Sequence, residues 1–196
     1  MRYLQWLIAG TVLLCAGGLF AGNTKQEAVM GASSSISSKK VLVVYYSRTG
    51  NTKKVAEDIA RATKADVEQL IDKKDRSGAG GYIIAGKDAA RENLADIEPV
   101  KNDPMKYDLV VLGTPVWAWN MAPALRTYIT NNKAAFKNVA LFTTAGATKP
   151  DKIVNKMETL AGKKSIATAG FFESDLKEKN HAGYEEKLNV FIERLK

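Results

Sequence analysis

The chain has 196 residues, of which 45% are apolar and 26% charged, and carries a formal net charge of +8. These values fit one globular domain with a real core and exclude disordered, collagen-like and disulfide-scaffold chains. A single cysteine, Cys15, and a single histidine, His181, rule out an intrachain disulfide and argue against thiol, histidine or His/Cys metal chemistry.

Residues 1–22 hold Arg2 and then a nearly uncharged apolar run with no polar helical face. Such a run is expected to be a signal peptide or a short membrane anchor. Leu14 before Cys15 does not suit a lipoprotein site, so Cys15 reads as one more apolar residue. Residues 23–38 are Ser-rich and aperiodic, which predicts a linker, with the folded domain over residues 39–196. Arg2 favours an exported domain, whereas Lys25, Lys39 and Lys40 favour a domain on the cytoplasmic face of the membrane. The signal-like layout tips the expectation toward export or membrane anchoring.

From Lys39 onward, strand-like and helix-like segments alternate. Residues 41–46 (VLVVYY) form a β-branched and aromatic run expected of a strand buried on both faces. Val55 and Ile59 repeat at helical spacing; residues 66–71 read as a second, more exposed strand, and residues 80–94 as a helix. Residues 107–113 (YDLVVLG) give a third strand, and Leu125, Tyr128 and Ile129 a helix face. A fourth strand is expected over residues 138–144, then a helix with Ile153, Met157 and Leu160 on one face and Pro150 near its start. Residues 165–172 read as the fifth strand, and Leu188, Phe191, Ile192 and Leu195 as the stripe of a closing helix. The pattern predicts an α/β fold: a five-stranded parallel sheet with helices on both faces. In such sheets ligands bind outside the carboxyl ends of the strands, so the loops after strands one, three and four are the ones to read.

The first loop, SRTGNT (residues 47–52), joins a buried strand directly to a helix. Gly50 permits a sharp turn, and Ser47, Thr49 and Thr52 add hydroxyls to the unpaired N–H groups of the helix start. Together these suit a phosphate cradle that needs no metal; they also suit an ordinary capped helix. The loop is neither a Walker loop nor a dinucleotide fingerprint. The second loop, GTPVWAWNMAP (residues 113–123), carries Trp117 and Trp119 between Pro115 and Pro123. It suits a flat stacking ligand, unless the indoles, Trp119 above all, pack under neighbouring loops. The third loop, TTAGAT (residues 143–148), allows close backbone approach or is a plain turn. One ligand type satisfies all three loops, with a phosphate at one end and a planar ring at the other.

These motifs resemble the flavodoxin family. SRTGNT is similar to the family's phosphate loop, GTPVWAWN to the flavin-flanking loop of its short-chain bacterial members, and residues 85–117 to their long connection. The resemblance covers nearly all of residues 39–196 and implies a flavodoxin-like three-layer sandwich, with sheet order 2-1-3-4-5, holding FMN. It implies phosphate contacts from Ser47, Thr49, Gly50, Asn51 and Thr52. The isoalloxazine ring would lie against Pro115, Val116, Trp117, Ala118, Trp119 and Asn120, with Trp117 stacking. Thr144, Ala145 and Gly146 would approach the ring. Arg48 sits where the family fixes no residue and is read as a solvated side chain beside the phosphate. Trp119 stands where many members have glycine; a bulky residue intolerant of positive φ should make a redox-linked peptide rotation costlier.

The implied function is electron transfer by bound FMN, with no acid–base side chain required. One alternative is an NAD(P)H-dependent FMN-containing quinone reductase; another is a membrane-tethered interaction domain without redox activity, which the intact cradle disfavours. Family carriers are typically acidic, so a basic domain is expected to prefer an acidic redox partner protein or an anionic membrane surface. Nucleic acid is not expected, because the lysines are interleaved with Glu and Asp and no stripe of basic and aromatic residues appears. His181 is read as a surface or capping residue before the last helix.

Overall fold

A period-2 alternation in the central strands divides the core in two. The computed structural model describes residues 39–147 and 151–196; the expected leader and linker (residues 1–38), Thr148 of the third loop, and Pro150 near the start of the next helix lie outside them. In β1 (Val41–Tyr45), Leu42 and Val44 face one apolar cluster while Val41, Val43 and Tyr45 face the other. The same alternation holds in β3 (Leu109–Trp117) and β5 (Val139–Ala145), where Val110, Leu112, Val139 and Leu141 oppose Leu109, Val111, Ala140 and Phe142. Helices α3 (Pro123–Asn132) and α4 (Asp151–Ala161) cover the first cluster; α1 (Asn51–Thr63) and α5 (His181–Glu193) cover the second. This is why the strands read as continuous apolar runs: both faces are shielded from water.

The sheet order is β2-β1-β3-β5-β6, with β2 at Asp66–Gln69 and β6 at Thr168–Phe172, all pairs parallel. Counting parallel strands alone, this is the expected 2-1-3-4-5 arrangement. A sixth, two-residue strand, β4 (Asn120–Met121), pairs antiparallel with β3 only. Its presence corrects the reading of residues 113–123 as a loop. β3 continues past Gly113, where pairing with β1 stops, and Pro115 borders only β5, opposite Thr144. A proline is tolerated there because the strand has become an edge on its other side.

Between β3 and β4 the turn consists of Ala118 and Trp119, both left-handed, at φ 45° and 58°. Two residues with positive φ joining antiparallel strands form a type I′ hairpin, which asparagine and glycine normally occupy. The expectation that Trp119 avoids positive φ is therefore corrected. The indole is 72% exposed, so its bulk meets no neighbour that would forbid the conformation.

Helix α2 (Gly78–Ala90) packs against β3, β4 and α3. Its start is fixed by the buried Arg76, whose Nε donates to Asp72 Oδ2 at 2.5 Å and whose Nη1 donates to Asp88 Oδ2 at 2.8 Å. Burial pushes the Asp88 carboxyl up, but hydrogen bonds from Arg76, Asn93 and Lys74 outweigh it and hold the group at about 2. The connection from α2 to β3 is tied down by two side chains. Thr127 Oγ1 exchanges hydrogen bonds with the backbone of Ala95, both at 2.9 Å. The Glu68 carboxylate accepts from Lys101 N at 3.0 Å and Asn102 N at 2.9 Å. Among the described residues no helix is long and apolar enough to cross a membrane.

Two stability effects are expected in chemical denaturation. A Cβ at Gly113 would overlap the ring of Phe142, which is fully buried. Gly113→Ala should therefore destabilise the protein by about 1–3 kcal/mol, the usual cost of overpacking. Replacing the turn by the favoured pair, Ala118→Asn with Trp119→Gly, should stabilise the flavin-free protein by about 1 kcal/mol through relief of left-handed strain.

Candidate functional site

Helix α1 starts immediately after β1, and its N-cap is Gly50, at φ 96°. Most helices place Ser, Thr, Asp or Asn there, with a side chain that accepts from the first turn. Gly50 offers none, and the first turn contains no acidic residue. The first hydrogen bond of the helix runs from Lys54 N to Gly50 O at 2.9 Å. The N–H groups of Asn51, Thr52 and Lys53 thus have no protein acceptor among the described residues. Three unpaired donors at the positive end of a helix dipole suit a phosphate. Ser47 Oγ accepts from Gly50 N at 3.2 Å and holds the loop in shape.

A cleft of about 900 Å³ opens from this helix start across the carboxyl ends of β1, β3 and β5. Arg48, Thr49, Asn51 and Thr52 line it from the first loop. Pro115, Val116, Trp117, Ala118 and Trp119 line it from the β3 end and its turn, and Thr144, Ala145 and Gly146 from the end of β5. The Thr52 and Thr144 hydroxyls are 2.7 Å apart and buried, which locks the first and third loops together. Trp117 is half-buried, its ring edge-on to Tyr46 at a centroid distance of 5.4 Å. Burial, with Asp72 adding to it, raises the Tyr46 hydroxyl above its ordinary pKa, so this ring stays neutral under the tryptophan. Both indoles line the cleft: Trp119 stands in solvent at the rim and does not pack under a neighbouring loop, while Trp117 is half-buried against the core.

Three of the expected residues do not line the cleft. Ser47 and Gly50 shape the loop from behind. Asn120 is buried, with Oδ1 accepting from Arg126 Nη2 at 2.7 Å and Nδ2 donating to Glu92 Oε1 at 3.0 Å. It clamps the end of the turn. Arg48 departs from its expected solvated state. It is half-buried, its guanidinium lies 5.1 Å from the Tyr82 ring centroid, and its buried Nε has no protein acceptor. A half-buried guanidinium with an unpartnered Nε, beside three unpaired N–H groups, strengthens the fit to a phosphate.

The sequence reading missed the far wall. Tyr82, Ile83, Gly86 and Lys87 of α2 line the cleft, as does Glu173 beyond β6. The available signal was the run of Tyr82, Ile83 and Ile84 in a helix whose buried side needs only Gly81, Ala85 and Ala89. Large apolar residues on the exposed face of a helix mark a surface with another use. No lining residue is a histidine or cysteine, and no group of metal-ligating side chains occurs among the described residues. The fit is to a ligand held by main-chain amides, one arginine and aromatic faces, and FMN has the phosphate and flat ring that such a site requires.

A family model described as flavodoxin matches residues 40–194. Among solved structures, the chain is similar to a flavoprotein from Lactobacillus acidophilus in complex with FMN, at 28% identity and a TM-score of 0.60, covering 70% of this chain and 96% of that one. The apo form of the Lactobacillus acidophilus flavoprotein matches at 25% identity and a TM-score of 0.53, over 71% and 96% of the two chains. Two-electron reduced flavodoxin from Megasphaera elsdenii has the same fold, at 17% identity and a TM-score of 0.52 over 79% and 96%. No curated protein matches the chain. With the family match running from β1 through α5, and the strand order and cleft both in place, the chain belongs to the flavodoxin family.

Proposed function

We propose that the chain is an FMN-binding flavoprotein that transfers electrons to or from a partner protein. The observation that carries this reading is the convergence, in one cleft, of the unpaired N–H groups of α1, the half-buried Trp117 and the small-residue end of β5. The N–H groups of Asn51, Thr52 and Lys53 and the Arg48 guanidinium bind the phosphate. Trp117 and the β3 end carry the ring, while the Thr52–Thr144 pair keeps the two loops at fixed spacing. FMN supplies the redox chemistry, and the protein tunes it by stacking, hydrogen bonds and charge. Among the described residues, the cleft's charged lining is Arg48, Lys87 and Glu173.

Export or membrane anchoring belongs to the same proposal and rests on residues 1–22 alone. The partner proposal rests on charge: a chain with net charge +8 favours an acidic protein or an anionic membrane surface. A second reading, NAD(P)H-dependent quinone reduction, is favoured by one feature. Trp119, Tyr82 and Ile83 stay 72%, 61% and 69% exposed at the cleft rim, which offers a flat second ligand an apolar surface beside the ring. Steady NADPH oxidation with a quinone acceptor would select it; a flavin reducible only by a protein donor would select the carrier.

The purified protein is expected to be yellow and to release FMN on heating, and added FMN should quench the tryptophan emission of the flavin-free form. A colourless preparation that gives no calorimetric response to FMN, with emission unquenched, overturns the proposal. Binding to the redox partner should weaken as salt rises from about 50 to 500 mM, because exposed charges are screened over that range. An affinity indifferent to salt counts against electrostatic docking.

A further inference from the structure

On the helix layer that carries α3 and α4, behind the turn rather than in the cleft, lies a second pocket of about 390 Å³. Its polar lining is Arg126, Lys133, Lys156, Asn155, Thr159 and Glu92. Three cations and one carboxylate therefore line the pocket, and only Arg126 and Lys156 pair with that carboxylate. Arg126 is 93% buried by its 7% exposure, and its Nε is buried with no protein acceptor. Its pairing with Glu92 is loose, Nη1 to Oε2 at 3.4 Å. Glu92 is also engaged by Lys156 Nζ at 3.0 Å and by Asn120 Nδ2 at 3.0 Å. Lys133 has no carboxylate partner, and the Asn155 side-chain amide no protein partner, among the described residues.

Burial penalises a cation that is incompletely neutralised. Burial lowers the Arg126 pKa from its ordinary value, and the Glu92 carboxylate opposes that shift without cancelling it. Glu92 itself is held at φ 59°, a left-handed conformation that a glutamate rarely adopts. In that conformation its carboxylate reaches Asn120, Arg126 and Lys156 together, and those hydrogen bonds hold it below the usual carboxylate range. That conformation closes the C-terminus of α2, where Glu92 N and Asn93 N donate to Ala89 O and Asp88 O, and positive charge remains in excess in the pocket it leaves beside the cluster.

We propose that this pocket binds a small oxyanion, held by Arg126, Lys133 and Lys156. The anion supplies the negative charge that Glu92 alone does not, and Asn155 and Thr159 offer neutral hydrogen-bonding groups at the same wall. The bound anion shares the Arg126 guanidinium with Asn120, the residue that ends the Ala118–Trp119 turn. The site is thereby joined to the flavin cleft by one side-chain hydrogen bond, although its existence does not depend on flavin binding.

The test is an NMR titration of isotopically labelled protein, saturated with FMN, using inorganic phosphate and, separately, acetate, with sodium chloride at matched ionic strength as control. Saturable shifts of the Arg126 Nε–H and of the Asn155, Lys156 and Thr159 amides, with phosphate or acetate but not chloride, are expected. Lys133→Gln should weaken that response about fivefold, the order expected for removing one partly exposed charge from a site. The backbone amides of Gly50 and Asn51 report the phosphate cradle of α1 in the same spectra, so a failure of the FMN reading is seen there and not at Arg126. The proposal is overturned if the Arg126 and α4 signals do not saturate, if chloride reproduces their shifts, or if Lys133→Gln and Lys156→Gln both titrate like the unsubstituted protein.

Discussion

A sheet buried on both faces has to satisfy its backbone polar groups within itself, and can leave them open only where the strands end. That constraint organises this protein. β1, β3 and β5 are almost wholly removed from water, and their ladders consume the donors and acceptors along their length. At the carboxyl ends the chain must turn back into helices, and each helix start contributes N–H groups with no acceptor of its own. At α1 nothing among the described residues takes them: the N-cap is a glycine and the first turn has no acidic side chain. A ligand with negative charge completes the backbone there, which is why the site can hold a phosphate without a lysine clamp or a metal.

The surrounding contacts keep that end of the sheet in one shape. The Thr52–Thr144 hydroxyl pair joins two loops that are distant in sequence. Arg76, forked between Asp72 and Asp88, sets α2 at an angle where Tyr82 comes under the Arg48 guanidinium. On the opposite side, Asn120, Arg126 and Glu92 hold the end of a turn whose two residues both sit in left-handed backbone. Strain of that kind costs about 1–2 kcal/mol per residue and persists only where neighbours over-determine it. Here the neighbours are a buried amide and a buried arginine, and the strained residues stand at the rim of the cleft.

Arg126 lines the cationic pocket and also holds Asn120 at the end of the turn. A side chain that serves two surfaces transmits whatever changes at either, and linkage makes such an effect reciprocal. The positive charge of the molecule is thus not only a solvated surface. Part of it, at the buried Arg126 and the half-buried Arg48, is incompletely paired, each Nε lacking a protein acceptor among the described residues.

Much was legible in the sequence because it follows from local rules. Runs such as residues 41–46 suit strands buried on both faces, strand–helix alternation favours parallel pairing, and SRTGNT combines a turn glycine with hydroxyls at a helix start. These fixed the layer architecture, the sheet edge that carries the site and the order of its loops. What only the tertiary structure decided depends on neighbours distant in sequence. β3 runs on through Pro115 because β1 happens to stop at Tyr45. The Asn120 side chain serves as a clamp because Arg126 and Glu92 meet it from other elements. Trp119 takes positive φ because the hairpin closes in two residues, and Tyr82 becomes a cleft wall because Arg76 holds α2 beside Arg48. Sequence spacing sets which face a side chain takes along its own strand or helix, but side chains from separate elements meet only when the packed core brings those elements together.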